Sequence, residues 1–434
     1  MLNGAINENN PDTERGKIMT DKLTYINLFA GAGGLSEGFI RAGFHPVAHV
    51  EMDRYASLTL KTRLGYHYLK ENEQKDVYFR YIRREITPDE FYSFIPDEIL
   101  RSVIAMEINE NTIKHIFERI ESIMEDSGIH KIDVIIGGPP CQAYSTIGRA
   151  RDPYRMRNDP RNYLYRFYVK FLKKFRPEVF IFENVPGLLS AGNGKLWNDV
   201  QKYFRNAGYD IDYRLLNAND FGVLQRRKRV VMIGWEQELK LYYPEFERDR
   251  NVKNYAVGDM LFDLPPLQPG EKMLVGEYIS EPSKYLVEYG IRTHEDVLTL
   301  HISRKHNERD RKIYKFYIEK WFKNKKRPKY DDLPEELKTH KNRNVFKDRF
   351  KVVAPDLPYS QTVVAHLSKD GHYFIHPDIT QLRSISVREA ARLQSFQDNH
   401  FFEGPMTAMF RQIGNAVPPL MAEKIAGKIR EMLS

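Results

Sequence analysis

Cys141 is the only cysteine in the chain, and it stands in the run Gly137-Gly138-Pro139-Pro140-Cys141-Gln142. A lone cysteine is usually a small buried apolar residue, and one placed for that purpose belongs inside a strand. This one comes after the short β-prone run Asp133 to Ile136, so the thiol is expected at the carboxyl edge of a sheet, held by a stiff Pro-Pro turn. The thiolate is the nucleophilic form. Arg149, Arg151, Arg155, Arg157 and Arg161 just downstream make the loop electropositive, which favours ionisation and phosphate contact. Glu183-Asn184-Val185 closes the next apolar run, Val179 to Phe182, and brings a carboxyl group to the same edge. A thiol beside a carboxylic acid is equipment for covalent catalysis with proton assistance. Gln225-Arg226-Arg227-Lys228-Arg229 leads into a further strand; as a bare pattern it fits a solvated turn or a phosphate patch.

A second group of residues suits a nucleotide-like ligand. Phe29-Ala30-Gly31-Ala32-Gly33-Gly34 follows the apolar run Leu23 to Phe29 and precedes an amphipathic stretch, so glycines would let backbone approach a ligand at an open helix N-terminus. Glu51, at the end of the next strand, can accept hydrogen bonds from ribose hydroxyls, and Met52 beside it can stack on adenine. A dehydrogenase would show much the same, and the pattern leaves the cofactor open.

These residues need a sheet to position them. Strands at 23–29, 46–50, 133–136, 179–182, 213–216 and 230–233 alternate with helices at 35–42, 54–63, 111–124, 162–174 and 195–206, which predicts a doubly wound, mostly parallel α/β sheet of six or seven strands with ligands at the carboxyl ends. That domain is expected over 23–235, after a polar tail at 1–22. Prolines 244, 265, 266, 269, 282, 328 and 334 break the alternation in 236–355, read as a second, smaller domain. Residues 356–434 return to the first domain, with Ser386 as an N-cap three residues before Glu389 and a closing helix through Met421, Ile425 and Ile429. The chain carries a net charge of +8, and from His301 to Phe350 it holds 17 basic against 8 acidic residues. Tyr314, Phe316, Tyr317, Trp321 and Phe322 interleave with that basic stretch, as suits contact with nucleic acid. The single cysteine excludes intramolecular disulfides and Cys-based zinc or iron–sulfur clusters within the chain. No apolar run reaches the length of a membrane span, and the polar start lacks the features of a secretory signal, so a cytoplasmic protein is expected.

Taken in order, the blocks Phe29 to Gly34, Glu51, Pro139-Pro140-Cys141-Gln142, Glu183-Asn184-Val185, Gln225 to Arg229, Arg388-Glu389-Ala390-Ala391-Arg392-Leu393-Gln394 and Gln412-Ile413-Gly414-Asn415-Ala416-Val417-Pro418 resemble the cytosine-C5 DNA methyltransferase family of bacterial and phage restriction-modification systems. The resemblance covers the chain outside roughly 1–22 and 236–355. It implies a Rossmann-like sheet and S-adenosyl-L-methionine held by Phe29, Ala30, Gly31, Gly33, Gly34, Leu35, Glu51, Met52, Glu107, Ile108, Asn415 and Val417. Here Met106-Glu107-Ile108, behind an insertion from about Leu64 to Ser102, takes the place of the family's Gly-Asp-Ile. Cys141, Glu183, Arg227 and Arg229 would then be catalytic, and Pro140, Gln142, Ser145, Asn184, Gln225 and Thr362 would handle the cytosine, with Ser360 and Thr362 at a hinge. The basic segment 236–355 would recognise duplex DNA, with a separate cognate restriction endonuclease as partner and a nucleoid-associated setting. No metal is expected, and a monomer is the default. Alternatives are an RNA cytosine-C5 methyltransferase, a nucleic-acid-binding protein that keeps the fold without the chemistry, and a dehydrogenase that would leave Pro139-Pro140-Cys141 without a purpose.

Overall fold

The computed structural model describes residues 22–140, 163–339 and 347–434. The expectations for Cys141, Gln142 and Ser145, for the arginines of 149–161 and for nearly all of the N-terminal tail fall outside those residues.

Strands β1 (Thr24–Leu28), β2 (His45–Glu51), β3 (Val103–Ala105), β4 (Val134–Gly137), β5 (Val179–Asn184), β6 (Tyr209–Asn217) and β7 (Lys228–Glu236) form one sheet in the order β3-β2-β1-β4-β5-β7-β6. The first five run parallel. Strand β7 is antiparallel to both its neighbours. Apolar side chains alternate between two faces: Val134, Ile136, Val179, Ile181, Val231 and Ile233 enter one core, and Ile135, Phe180, Phe182, Val230 and Met232 enter the other. Both faces being covered explains why these strands read as continuous apolar runs.

The helices that cover the sheet are α1 (Gly34–Arg41), α2 (Arg54–Glu71), the short α3 (Lys75–Ile82), α4 (Pro88–Ser93) and α5 (Asp97–Arg101), then α6 (Ile113–Asp126), α7 (Leu164–Phe175) and α8 (Lys195–Arg205). Residues of α6, α7 and α8 (Ile116, Leu172, Phe204) close one face, and Leu35 and Phe39 of α1 the other. Helix α2 runs eight residues past the expected 54–63 and leads into the insertion, whose Tyr78 and Phe91 join the core of α1. Strand β3, three residues long, was not foreseen.

In the segment 236–355 the structure shows a two-stranded antiparallel sheet of β8 (Lys272–Gly276) and β9 (Leu298–Ile302), with α9 (Lys284–Glu288) and α10 (Glu308–Asn324). Tyr285, Leu300 and Ile302 share a core with α11 (Val387–Leu393), α12 (Met406–Asn415) and α13 (Pro419–Leu433). By contrast, Tyr314, Tyr317 and Trp321 of α10 pack with Tyr330, Phe350 and Val352 in a core of their own. A buried charge network ties the segment to α11: Arg392 donates to Asp263 and to Asp398, each at 2.5 Å, and Arg292 donates to the same Asp263 at 2.5 Å. Deleting one partner of such a set strands a buried charge and typically costs about 3–5 kcal/mol. Ser386 caps α11 as expected, its hydroxyl accepting from the Glu389 N–H at 3.1 Å while its own N–H donates to the Glu389 carboxylate at 2.6 Å.

Candidate active site

At the end of β1 the chain turns sharply. Phe29 (φ 54°), Gly31 (φ 56°) and Gly33 (φ 81°) take left-handed conformations, and α1 starts at Gly34 with Leu35 buried behind it. A side chain added at Gly31 would meet nothing within 4 Å, so open space lies over this turn. At Gly34 the reverse holds: an added Cβ would lie 2.3 Å from the Val417 carbonyl oxygen. The glycine is what lets the last sequence block cross the start of α1, as Gly38 does one turn later against Ala422 at 2.4 Å. Asn415 is exposed at the end of α12 and Val417 is buried. The final block therefore returns to the glycine turn.

The Glu51 carboxylate, at the end of β2, accepts from the N–H of Gly31 and of Asp53, both at 2.7 Å. Burial pushes its carboxyl above the ordinary value, and the two N–H groups partly oppose that rise. Met52 beside it is 62% exposed. The Met106 N–H donates to the Glu51 carbonyl at 3.0 Å, which sets Glu107, exposed, and Ile108, buried, just past the end of the neighbouring β3. Ala30 donates to the Val50 carbonyl at 3.1 Å. Open space over a glycine turn, an acid on its rim and an exposed thioether beside it are a donor and acceptor set that fits an adenosyl group with ribose hydroxyls.

The second cluster sits at the ends of β4 and β5. Parallel pairing sets Gly137 opposite Phe182, so Gly138 comes beside Glu183. A Cβ at Gly138 would lie 2.7 Å from Glu183 Oε2. Arg229 Nε forms an ion pair with the other carboxylate oxygen, Oε1, at 2.7 Å, with both side chains about nine-tenths buried (11% and 12% exposed). Asn184 Nδ2 donates to the Pro139 carbonyl at 3.2 Å, which fastens the turn leading to exposed Pro140 and then, in sequence, to Cys141.

Within the Gln225–Arg229 block, Gln225 and Arg227 are buried and tied into the fold by hydrogen bonds. Arg227 is fully buried, its guanidinium donating to the carbonyls of Val363 (2.7 Å), Ala416 (2.8 Å) and Gly414 (3.3 Å). It precedes β7, which begins at Lys228, and the peptide carbonyls at the end of α12 offer acceptors that only a multiply donating group can serve together. Gln225 is also fully buried, donating to the Leu393 carbonyl at 2.7 Å and accepting from the Val363 N–H at 3.0 Å. Thr362 donates its hydroxyl to the Arg226 carbonyl at 2.5 Å, and Arg226 N–H donates to the Ser360 carbonyl at 3.0 Å, stitching the strip 359–363 to this turn.

Residues without an individual role assigned from sequence complete the scaffold. Gln394 Nε2 donates to the Ile413 carbonyl at 2.6 Å, and Ser395 Oγ accepts from Leu420 N–H at 3.2 Å, so the end of α11 holds the final block. Asp53 caps α2 by accepting from Tyr55 and Ala56 N–H; its signal was an acid directly before a helical run. Among the described residues, no group of three His, Cys, Asp or Glu side chains could hold a metal ion, and no helix is long and apolar enough to cross a membrane.

Comparison with known proteins places this geometry in context. The family model described as C-5 cytosine-specific DNA methylase matches residues 23–95 and 98–431. Type II methyltransferase M.Bpa9945I of Bacillus paralicheniformis is 42% identical over 444 residues, spanning 95% of this chain and 99% of its own. Type II methyltransferase M1.HphI of Haemophilus parahaemolyticus is 31% identical, spanning 94% of this chain and 87% of its own. Among solved structures, a prophage-encoded protein of E. coli described as a candidate DNA modification methyltransferase superposes with a TM-score of 0.60 at 24% identity, covering 95% of this chain and 99% of that one. That likeness shows the shared fold.

Proposed function

The chain belongs to the C-5 cytosine-specific DNA methylase family and is a DNA cytosine-5 methyltransferase of the type II kind, and from that premise we propose how its residues carry out the reaction. The observation that carries the reading is the Glu183–Arg229 pair beside Gly138, on the sheet edge from which the chain enters Pro139-Pro140-Cys141. S-adenosyl-L-methionine, when bound, supplies a methyl group made electrophilic by its sulfonium. Gly31, Glu51 and Met52 would hold it, with Glu107, Ile108, Asn415 and Val417 on the rim, and Phe29, Ala30, Gly33, Gly34 and Leu35 shaping the turn beneath.

Cytosine C5 is too weak a nucleophile to take a methyl group directly. Cys141 thiolate adds to C6, forming a C–S bond, while Glu183 holds N3 and delivers a proton to it, so that the ring electrons are pushed towards C5. Arg229 orients the Glu183 carboxyl through Oε1 and binds the base's O2. The methyl group would pass from the sulfonium to C5; a base then removes the C5 proton, the C6–S bond breaks to return the thiolate, and N3 gives its proton back to Glu183. C5 and C6 are inaccessible in a stacked duplex, so the cytosine must be flipped out, at a cost of a few kcal/mol. Asn184 fixes the Pro139 turn in position for the attack, and Pro140, Gln142, Ser145 and Thr362 would line the flipped base. The basic segment would read the duplex, and the modification would protect host DNA against a separate restriction endonuclease.

The test is transfer of labelled methyl from S-adenosyl-L-methionine to duplex DNA and, in parallel, to tRNA, comparing wild type with Cys141→Ala. Cysteine-dependent label at cytosine C5 of DNA is expected. Label in tRNA alone, or in neither, would overturn the assignment of roles.

A further inference from the structure

Lys351 stands half-buried where the return segment leaves the basic segment. Its backbone is fixed on both sides, donating to the His372 carbonyl at 3.0 Å and accepting from the Ile375 N–H at 2.8 Å. The ammonium lies 4.9 Å from the centroid of the Tyr373 ring. No carboxylate lies within 4.0 Å of it among the described residues. Arg349 approaches the same ring at 5.8 Å, but it is ion-paired with Asp370. One cation on this ring is neutralised and the other is not.

Arg327, exposed, reaches towards the same place. Its guanidinium donates to Gln361 Oε1 at 3.3 Å, and Gln361 Nε2 donates to the Tyr373 carbonyl at 2.6 Å. Burial pushes the Lys351 ammonium below its ordinary value; the charge of Asp348 opposes that shift, and the charge of Arg327 adds to it. Two cations thus share a partly desolvated site with the single carboxylate of Asp348 between them, and the surplus positive charge costs free energy until an anion arrives. The next residue after Gln361 is Thr362, bonded to the Arg226 carbonyl, three residues before the Arg229 that pairs with Glu183. Gln361 and Thr362 thus connect this pair to the turn that leads to Arg229.

We propose that Lys351, seated on Tyr373 and flanked by Arg327, is a positioning residue that holds a backbone phosphodiester of the DNA strand carrying the target cytosine. The role rests on the DNA-methyltransferase reading above. A lysine ammonium is a point charge on a flexible stem, suited to phosphate and not to the bidentate reading of a base edge. It therefore adds affinity without adding sequence preference.

The test is the salt dependence of binding of the full chain to a fluorescent duplex of mixed sequence. Each phosphate contact contributes a slope of about −0.9 in log K against log salt, so losing the one held here, by Lys351→Met alone or together with Arg327→Gln, should weaken the loss of affinity between about 50 and 200 mM salt by about 3.5-fold relative to wild type. KM for DNA should rise with kcat nearly unchanged at saturation, S-adenosyl-L-methionine binding and melting temperature should hold, and Lys351→Arg should restore the slope. Arg327→Gln, on an exposed side chain, keeps the test available if the Lys351 variant folds poorly. An unchanged slope in folded variants overturns the proposal, whether they behave as wild type, change only their sequence preference, or lose only sensitivity to inorganic phosphate. Binding is read without methyl transfer, so a protein that binds DNA but does not methylate would fail the earlier reading and leave this one to be judged by the slope.

Discussion

Replacing Gly138 by alanine should separate catalysis from folding. The new Cβ would stand 2.7 Å from Glu183 Oε2, where ordinary contact begins near 3.4 Å, so the carboxylate must retreat by about 0.7 Å. Its other oxygen is ion-paired with Arg229 Nε at 2.7 Å, and the retreat lengthens or breaks that pair. The atom that yields is the tip of a flexible side chain, and Gly138 is not among the glycines with positive φ, so the backbone accepts alanine without strain. Stability should therefore change by no more than about 1 kcal/mol. A displacement approaching 1 Å at a reacting group costs on the order of 10²-fold in rate, about 2.7 kcal/mol of barrier. The assay is single-turnover methyl transfer at saturating DNA and cofactor, beside thermal melts and cofactor titrations. Glu183→Asp, one methylene shorter, has already withdrawn from the clash, so Gly138→Ala in that background should cost almost nothing further. A Gly138→Ala enzyme within about threefold of the wild-type rate, or a double variant whose losses simply add, would refute the claim that Gly138 exists to make room for Glu183.

Arg227→Met and Arg229→Met should differ in kind. The first strands buried carbonyls of Val363, Gly414 and Ala416 at about 1–3 kcal/mol each and should lower the melting temperature markedly, whereas the second should abolish transfer with a smaller loss in the same melt. Gly34→Ala forces a Cβ to within 2.3 Å of the Val417 carbonyl oxygen, a backbone atom, so both melting temperature and S-adenosyl-L-methionine affinity should fall, the latter by at least about tenfold, read by calorimetry. Burial opposes ionisation of Glu389, but the Arg383 guanidinium and His376 outweigh it and hold the carboxyl well below its ordinary value of 4.5. A depressed carboxyl stabilises the fold fully above that ordinary value and loses its contribution as pH falls towards the folded-state value. Denaturant melts should accordingly show Glu389→Gln less stable than wild type at neutral pH, with a shallower decline between about pH 5 and 3.

The catalytic edge was legible because its residues punctuate strands. Gly31 to Gly34, Glu51, Pro139-Pro140 and Glu183 each follow a largely apolar run, and such a run in a parallel sheet ends where ligands bind. The Arg-rich block was legible only in part. Five polar residues in a row carry no periodicity, so nothing in them says that β7 starts at Lys228 and that Arg227 turns inward while Arg229 meets Glu183. Strand β3 is too short to show a period and follows three helices of an insertion. Helix α12 has Pro405 before it and no side-chain cap, which removes the usual start signal. The segment 236–355 was read by its prolines and its charge. Those signs did not reveal that Tyr285, Leu300 and Ile302 would share a core with α11 and α12, because burial against a distant part of the chain leaves no local mark.

The proposed mechanism turns on a covalent bond between Cys141 and cytosine during transfer. Fluorine in place of hydrogen at C5 cannot be removed as a proton, so an enzyme that has added its thiol and transferred methyl stays attached. Incubating the protein with 5-fluorocytosine-substituted duplex DNA and S-adenosyl-L-methionine, then mapping the adduct by peptide mass spectrometry, reads that bond directly. The account predicts a cofactor-dependent complex whose methylated fluorocytosine is carried on Cys141 and which Cys141→Ala does not form. Methylated DNA from Cys141→Ala, or an adduct on another residue, would contradict it.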